Sequence, residues 1–212
     1  YNLVNNSINS IDVDKLDYLQ RDPRHIGLDY AFDPWRILNK SFIKEDSIIY
    51  SKSLVSNILE MFRTRYRFHK DIYNHKTVKL IEVMIGDALK NANEHYGFST
   101  MNTEDLIQYD DSIYNQILFS ENIDLKHSKN ILQRIEKRNL YKFVGWSEQC
   151  NDESELNDLC NDKFSDYSTD NLRFINMKFN FCNGTSSPLN KVKFDIDGNI
   201  KGGEHLYTDK LV

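Results

Sequence analysis

Asp12-Val13-Asp14-Lys15-Leu16-Asp17-Tyr18-Leu19-Gln20-Arg21-Asp22, answered later in the chain by Arg65, His69, Tyr73 and Lys76, decides how this sequence is read. Val13, Leu16 and Leu19 recur at helical spacing, with Ser10 or Asp12 as the expected N-cap and Pro23 as the expected end. On that helix Asp14, Tyr18 and Asp22 stand at i, i+4 and i+8 and share a face. Arg65, His69, Tyr73 and Lys76 do the same on a second helix at i, i+4, i+8 and i+11. One face offers carboxylates and the other cations. Carboxylates suit a hard metal ion, and Arg and Lys suit phosphate oxygens, so two such faces meeting across a cleft would hold a metal-bound polyphosphate. By pattern alone, such stripes are more often the solvated sides of amphipathic helices.

Around these stripes the sequence reads as mainly α, with a small β-rich lobe at the C-terminus, α+β overall. Phe32-Asp33-Pro34-Trp35-Arg36 predicts a turn or helix start, and Ile48-Ile49-Tyr50 a short strand. One long helix is expected from Asn57 towards Asn93, capped by Ser56 and closed by Gly97. Two scaffold helices follow, Glu104 to Phe119 behind Thr103 and Leu125 to Asn139 behind Asp124. Leu172 to Phe179 and Val192 to Ile196 alternate like strands, and Asp197-Gly198 signals a hairpin. The expected domains are a helical part over 1–145, an acidic linker or insertion over 146–170 and the β-rich lobe over 171–212.

The 212 residues suffice for a buried core. The net charge of -5 is unevenly spread: from Ser147 to Asp170 eight acidic residues face one Lys163, leaving a nearly neutral remainder. That balance does not indicate nucleic-acid binding, which brings a basic stripe. Three cysteines, Cys150, Cys160 and Cys182, form no metal spacing and fit a reducing compartment, so an intracellular location, nucleus or cytoplasm, is expected. No apolar run predicts a membrane span.

Ile11 to Tyr18, Met61-Phe-Arg-Thr-Arg65, Tyr73-Asn-His-Lys76 and Ile135-Glu-Lys-Arg-Asn-Leu-Tyr-Lys-Phe-Val-Gly145 resemble the HD-domain deoxynucleoside triphosphate triphosphohydrolases. The animal branch, which couples a sterile-alpha-motif domain to the HD domain, is the most similar. The likeness runs from Val4 to Gly145 and returns weakly from Phe174 to Phe194. It implies a divalent metal ion (Mg, Mn, Fe or Zn) and a reaction that splits a deoxynucleoside triphosphate into deoxynucleoside and tripolyphosphate.

The family's metal is held by a His, a His-Asp pair and a later Asp. None of the six histidines here precedes an Asp, so Asp14 alone matches, as the final ligand. The chain is therefore expected to be the C-terminal half of such an enzyme and inactive by itself. The resemblance implies phosphate contacts for Lys15 and Arg65, sugar contacts for Tyr18 and Asp22, and a ring packed on the deoxyribose for Tyr73 that leaves no space for a 2′-hydroxyl. His69 reads as an acid, a base or pocket lining, because its ordinary pKa is near neutrality. Asn74 stands where the family has Gln, which leaves base preference open.

A second implied group binds activating nucleotides that join subunits into dimers or tetramers: Arg36 for stacking, Asn57 for a base edge, His75 and Lys76 for phosphates. The family's charged cluster before Asn57 is replaced by Ser51, Ser53 and Leu54. Two rivals stand beside the triphosphohydrolase. One is an HD phosphohydrolase for a monophosphate or cyclic nucleotide, which would not need several phosphate-binding cations. The other is a catalytically inactive nucleotide-binding regulatory or oligomerisation module.

Overall fold

A computed structural model describes residues 2–28, 32–146, 171–177 and 186–206. Contacts divide the chain into two compact units, Tyr1–Tyr73 with Lys178–Val212, and Asn74–Met177. Among the described residues no helix is long and apolar enough to cross a membrane. The acidic stretch from Ser147 to Asp170 lies outside the described residues.

In the first unit, α1 (Val13–Ile26) starts at Asp12, whose carboxylate accepts the Lys15 N–H. Pro23 does not end this helix. It sits within it, buried, and the helix runs on to Gly27, whose φ of 69° closes it in the left-handed region. Proline removes one donor, and its own carbonyl takes the Gly27 and Leu28 N–H groups, so the last turn stays bonded. Asp33 caps α2 (Pro34–Asn39), with Pro34 at the first position, where a missing N–H costs nothing.

The sheet has four strands in the order β1 (Ser41–Lys44), β2 (Ser47–Ser51), β3 (Lys193–Ile196), β4 (Asn199–Gly202). Glu45 and Asp46, both at positive φ, turn β1 into β2, and Asp197 with Gly198 does the same for β3 and β4. β2 and β3 pair in parallel, Tyr50 opposite Phe194, so the sheet draws on distant parts of the chain. The strand expected from Leu172 is absent: Leu172 to Met177 is irregular, and Lys178 and Phe179 lie outside the described residues.

Against this sheet stands α3 (Val55–Arg67), which buries Ile58, Leu59, Met61 and Phe62 with Leu19, Ile37, Leu54 and Phe194. Each such side chain, removed from water, stabilises by roughly 2 kcal/mol. The helix expected to run unbroken from Asn57 to Asn93 is two helices. α3 passes into a π-helical turn, Phe68–Tyr73, and a new helix begins after His75, which is extended (ψ 138°) and accepts the Thr77 N–H through Nδ1. Apolar periodicity continues across this break, which is why the sequence conceals it.

The second unit holds α4 (Lys76–Tyr96), α5 (Thr103–Leu106), α6 (Ser112–Phe119) and α7 (Lys126–Glu136). Met84, Ala88 and Ala92 of α4 bury against Ile117, Leu125 and Leu132. The single helix expected from Glu104 to Phe119 is interrupted at Ile107 to Asp111, where Asp110 takes the Ser112 N–H and begins a new helix. The caps shift by a residue or two from those expected, to Asn102 before α5 and to Asn122 before the turn that leads into α7. Buried Asp87 is bonded by the Tyr141 hydroxyl (3.1 Å) and by Arg173 Nε (3.1 Å), which tie the later segments to α4.

Candidate functional site

Within the first unit α1 lies against α3 and the π turn that follows it. The two stripes read from the sequence meet there in part. Tyr73 donates its hydroxyl to Asp22 Oδ2 at 2.5 Å, a short bond of the kind made to an ionised carboxylate. Its ring meets Tyr18 (centroids 6.3 Å), His69 (5.3 Å, edge-on) and Phe68 (5.9 Å, edge-on). The π turn matters here because it sets the phase of His69 and Tyr73 behind Arg65.

His69 is held below its ordinary pKa first by burial, then by the positive charges of Arg65 and Lys15. It is therefore a neutral imidazole at neutral pH. Burial, and then the Asp22 carboxylate, push the Tyr73 hydroxyl well above its usual range, so it remains a donor. Lys15 is folded back on the start of α1, its Nζ donating to the Ser10 carbonyl at 2.7 Å. Asp22 keeps Oδ1 near Arg21 Nε at 3.8 Å.

Asp14 stands exposed in the first turn of α1, where a carboxylate favours the helix dipole. Among the described residues no group of three His, Cys, Asp or Glu side chains forms that would hold a metal ion. One carboxylate is far short of the four to six donors that a catalytic metal takes, so these residues do not make a metal site by themselves.

Lys76 belongs to the second unit. It opens α4 after the break, and its ammonium lies 6.0 Å from the centroid of the Phe143 ring. Asn74 and His75 likewise belong to the second unit. Of the other expected group, the Arg36 backbone and the Asn57 side chain meet at Asp33, read from the sequence only as part of a turn or helix start: Asp33 takes the Arg36 N–H on its carboxylate (3.1 Å) and the Asn57 amide on its carbonyl (3.1 Å). Its signal was present, an Asp before a Pro at a helix start. The guanidinium of Arg36 reaches the Ser53 carbonyl at 3.5 Å, Ser51 and Ser53 bond each other through their hydroxyls, and Leu54 is wholly buried. Phe32, Asp33, Ser56, Asn57, Glu60 and Arg63 line an open cleft beside them.

Residues 32–170 match the family model described as HD associated region. The deoxynucleoside triphosphate triphosphohydrolase SAMHD1 homolog of Dictyostelium discoideum is 38% identical over 146 residues, which are 68% of this chain and 28% of that protein. The Xenopus laevis deoxynucleoside triphosphate triphosphohydrolase SAMHD1 is 37% identical over 161 residues, 68% of this chain and 26% of the relative. The HD domain-containing protein L394 of Acanthamoeba polyphaga mimivirus is 31% identical over 221 residues and covers 92% of this chain, 47% of its own length. The chain thus spans under a third of the two triphosphohydrolases and under half of the viral protein. With the family model matched over more than half of its residues, the chain belongs to the HD associated region family.

Proposed function

We propose that this chain carries the substrate-holding part of a deoxynucleoside triphosphate triphosphohydrolase. Lys15 and Arg65 neutralise phosphate oxygens, Tyr18 and Tyr73 wall the deoxyribose, and Asp22, one oxygen held by Tyr73, offers the other to the sugar's 3′-hydroxyl. His69, neutral, lines the pocket between cations and ring. Water bonds to the α-phosphorus, the bond from phosphorus to the 5′-oxygen breaks, and that oxygen leaves protonated as the deoxynucleoside hydroxyl. The other product is tripolyphosphate. Asp14 would supply one ligand for a divalent metal that activates the attacking water, and the remaining ligands and the acid would come from the upstream part of the parent protein.

The observation that carries this reading is the cluster on α1, α3 and the π turn: two cations beside one imidazole, next to a tyrosine anchored by a carboxylate. A monophosphate would not require both cations. The test is release of tripolyphosphate from deoxyguanosine triphosphate by the protein extended upstream, with a divalent metal, beside an Asp14→Ala control. Release that disappears with Asp14 supports the reaction and the ligand together. A folded, metal-loaded protein that releases none from any of the four deoxynucleoside triphosphates overturns it.

The open cleft that Asn57 lines beside Arg36 supports a second reading, a nucleotide-binding module that drives assembly into dimers or tetramers. Light scattering with and without deoxynucleotide separates the two. Nucleotide-dependent growth in mass without hydrolysis is the signature of the module.

A further inference from the structure

The segment before α1 has no regular secondary structure, yet it buries two amides, Asn6 at 4% and Asn9 at 9% exposure. Buried amides are tolerated when their bonds are made, and these are. Asn6 Oδ1 accepts the N–H groups of Ile8 (3.1 Å) and Asn9 (3.2 Å), its Nδ2 donates to the Ile11 carbonyl (3.1 Å), and its own N–H donates to Asp12 Oδ2 (3.1 Å). Asn9 Oδ1 accepts the Ile11 N–H (3.0 Å). Ser10, between them, is held at a φ of 59°, a conformation that L side chains rarely take without such support.

The bonds fix two oxygens, the Ser10 carbonyl and Asp12 Oδ1, and both face the same ammonium. Lys15 Nζ donates to the first at 2.7 Å and stands 3.9 Å from the second. A lysine stem ordinarily samples many rotamers, and here its head is tethered at 12% side-chain exposure. One of its three N–H donors is spent on Ser10, and the others stay available.

We propose that Asn6, Asn9 and Asp12 are positioning residues for Lys15, holding its ammonium where it meets the substrate's phosphates. The phosphate half of that statement rests on the proposed function, while the tether itself does not. None of the three touches substrate. A loop that only stabilised the fold would leave Lys15 no more mobile once it was weakened.

Brief amine acylation read by mass spectrometry tests the tether in this 212-residue chain. Lys15 is expected to label slowly, and several-fold faster in Asn6→Ala or Asn9→Ala, while exposed Lys142 labels equally in all. Asp12→Ser keeps an N-cap oxygen but removes the charge beside Lys15, and gives the result where an asparagine variant does not fold. Kinetics of the protein extended upstream supply the second readout. Asn6→Ala should raise KM for deoxyguanosine triphosphate about ten- to hundredfold with a smaller change in kcat, and should add nothing in a Lys15→Met background. Unchanged Lys15 labelling in folded variants, or kinetic losses that add to that of Lys15→Met, overturns the proposal. Altered labelling in a protein without hydrolysis retains the tether and removes the proposed function.

Discussion

Replacing Tyr73 by Phe removes one oxygen and keeps the ring against Tyr18, His69 and Phe68. The oxygen's partner, Asp22 Oδ2, then loses a short charge-assisted bond. Bonds to charged groups contribute roughly 1.5 to 3 kcal/mol. Asp22 has a third of its side chain exposed, so water replaces part of the loss, and the expected effect is about 1 to 1.5 kcal/mol. That bond ties the last half of α1 to the π turn, so the loss belongs to the opening of those elements. Hydrogen exchange followed by mass spectrometry should show amides of α1 and of Phe68–Tyr73 exchanging roughly tenfold faster. Peptides of α7, in the other unit, should be unchanged. Asp22→Asn should produce a similar acceleration, and the double variant much less than the sum. Additive effects, or an α1 that exchanges at the wild-type rate in Tyr73→Phe, would refute the claim that this pair holds the site together.

His69 is held neutral by the fold, so its imidazole resonances should titrate with a midpoint below that of an unfolded histidine, and Arg65→Ala should raise the midpoint without fully restoring it, since burial is the larger cause. The sign for stability follows: the unfolded state binds the proton more tightly, so His69 adds full stability above its unfolded pKa and that contribution is lost as pH falls towards the folded value, a trend absent in His69→Gln urea titrations. Arg173→Ala leaves buried Asp87, among the described residues, with the Tyr141 hydroxyl as its side-chain partner. Arg173 is itself partly exposed, which reduces the cost to about 1 to 2 kcal/mol in urea unfolding. Gly203→Ala would bring a Cβ to 2.5 Å from the Leu189 carbonyl oxygen and 2.8 Å from the Phe194 ring, so thermal unfolding should register a loss of about 1 to 3 kcal/mol.

Local signals were legible because their physics is local. Asp12 as a cap, the stripe of Leu16 and Leu19, the helix start at Asp33-Pro34, the hairpin at Asp197-Gly198 and the stop at Gly97 each depend on a few adjacent residues. The break between α3 and α4 was not legible, because a π turn inserts a phase change without a proline or glycine to announce it. Pro23 misled in the other direction, since a proline ends a helix only where the freed groups find no other partner.

For the candidate site, helical spacing was enough to bring Tyr18 with Asp22 onto a common face, since that period is set within one helix, α1. The sequence by itself also determined the mainly helical class and the small sheet. Only the tertiary structure decided that Tyr73 closes on Asp22 and that β2 lies beside β3. Those outcomes join residues far apart in the chain, and such contacts depend on how whole elements bury their apolar faces together, a quantity that no local spacing encodes.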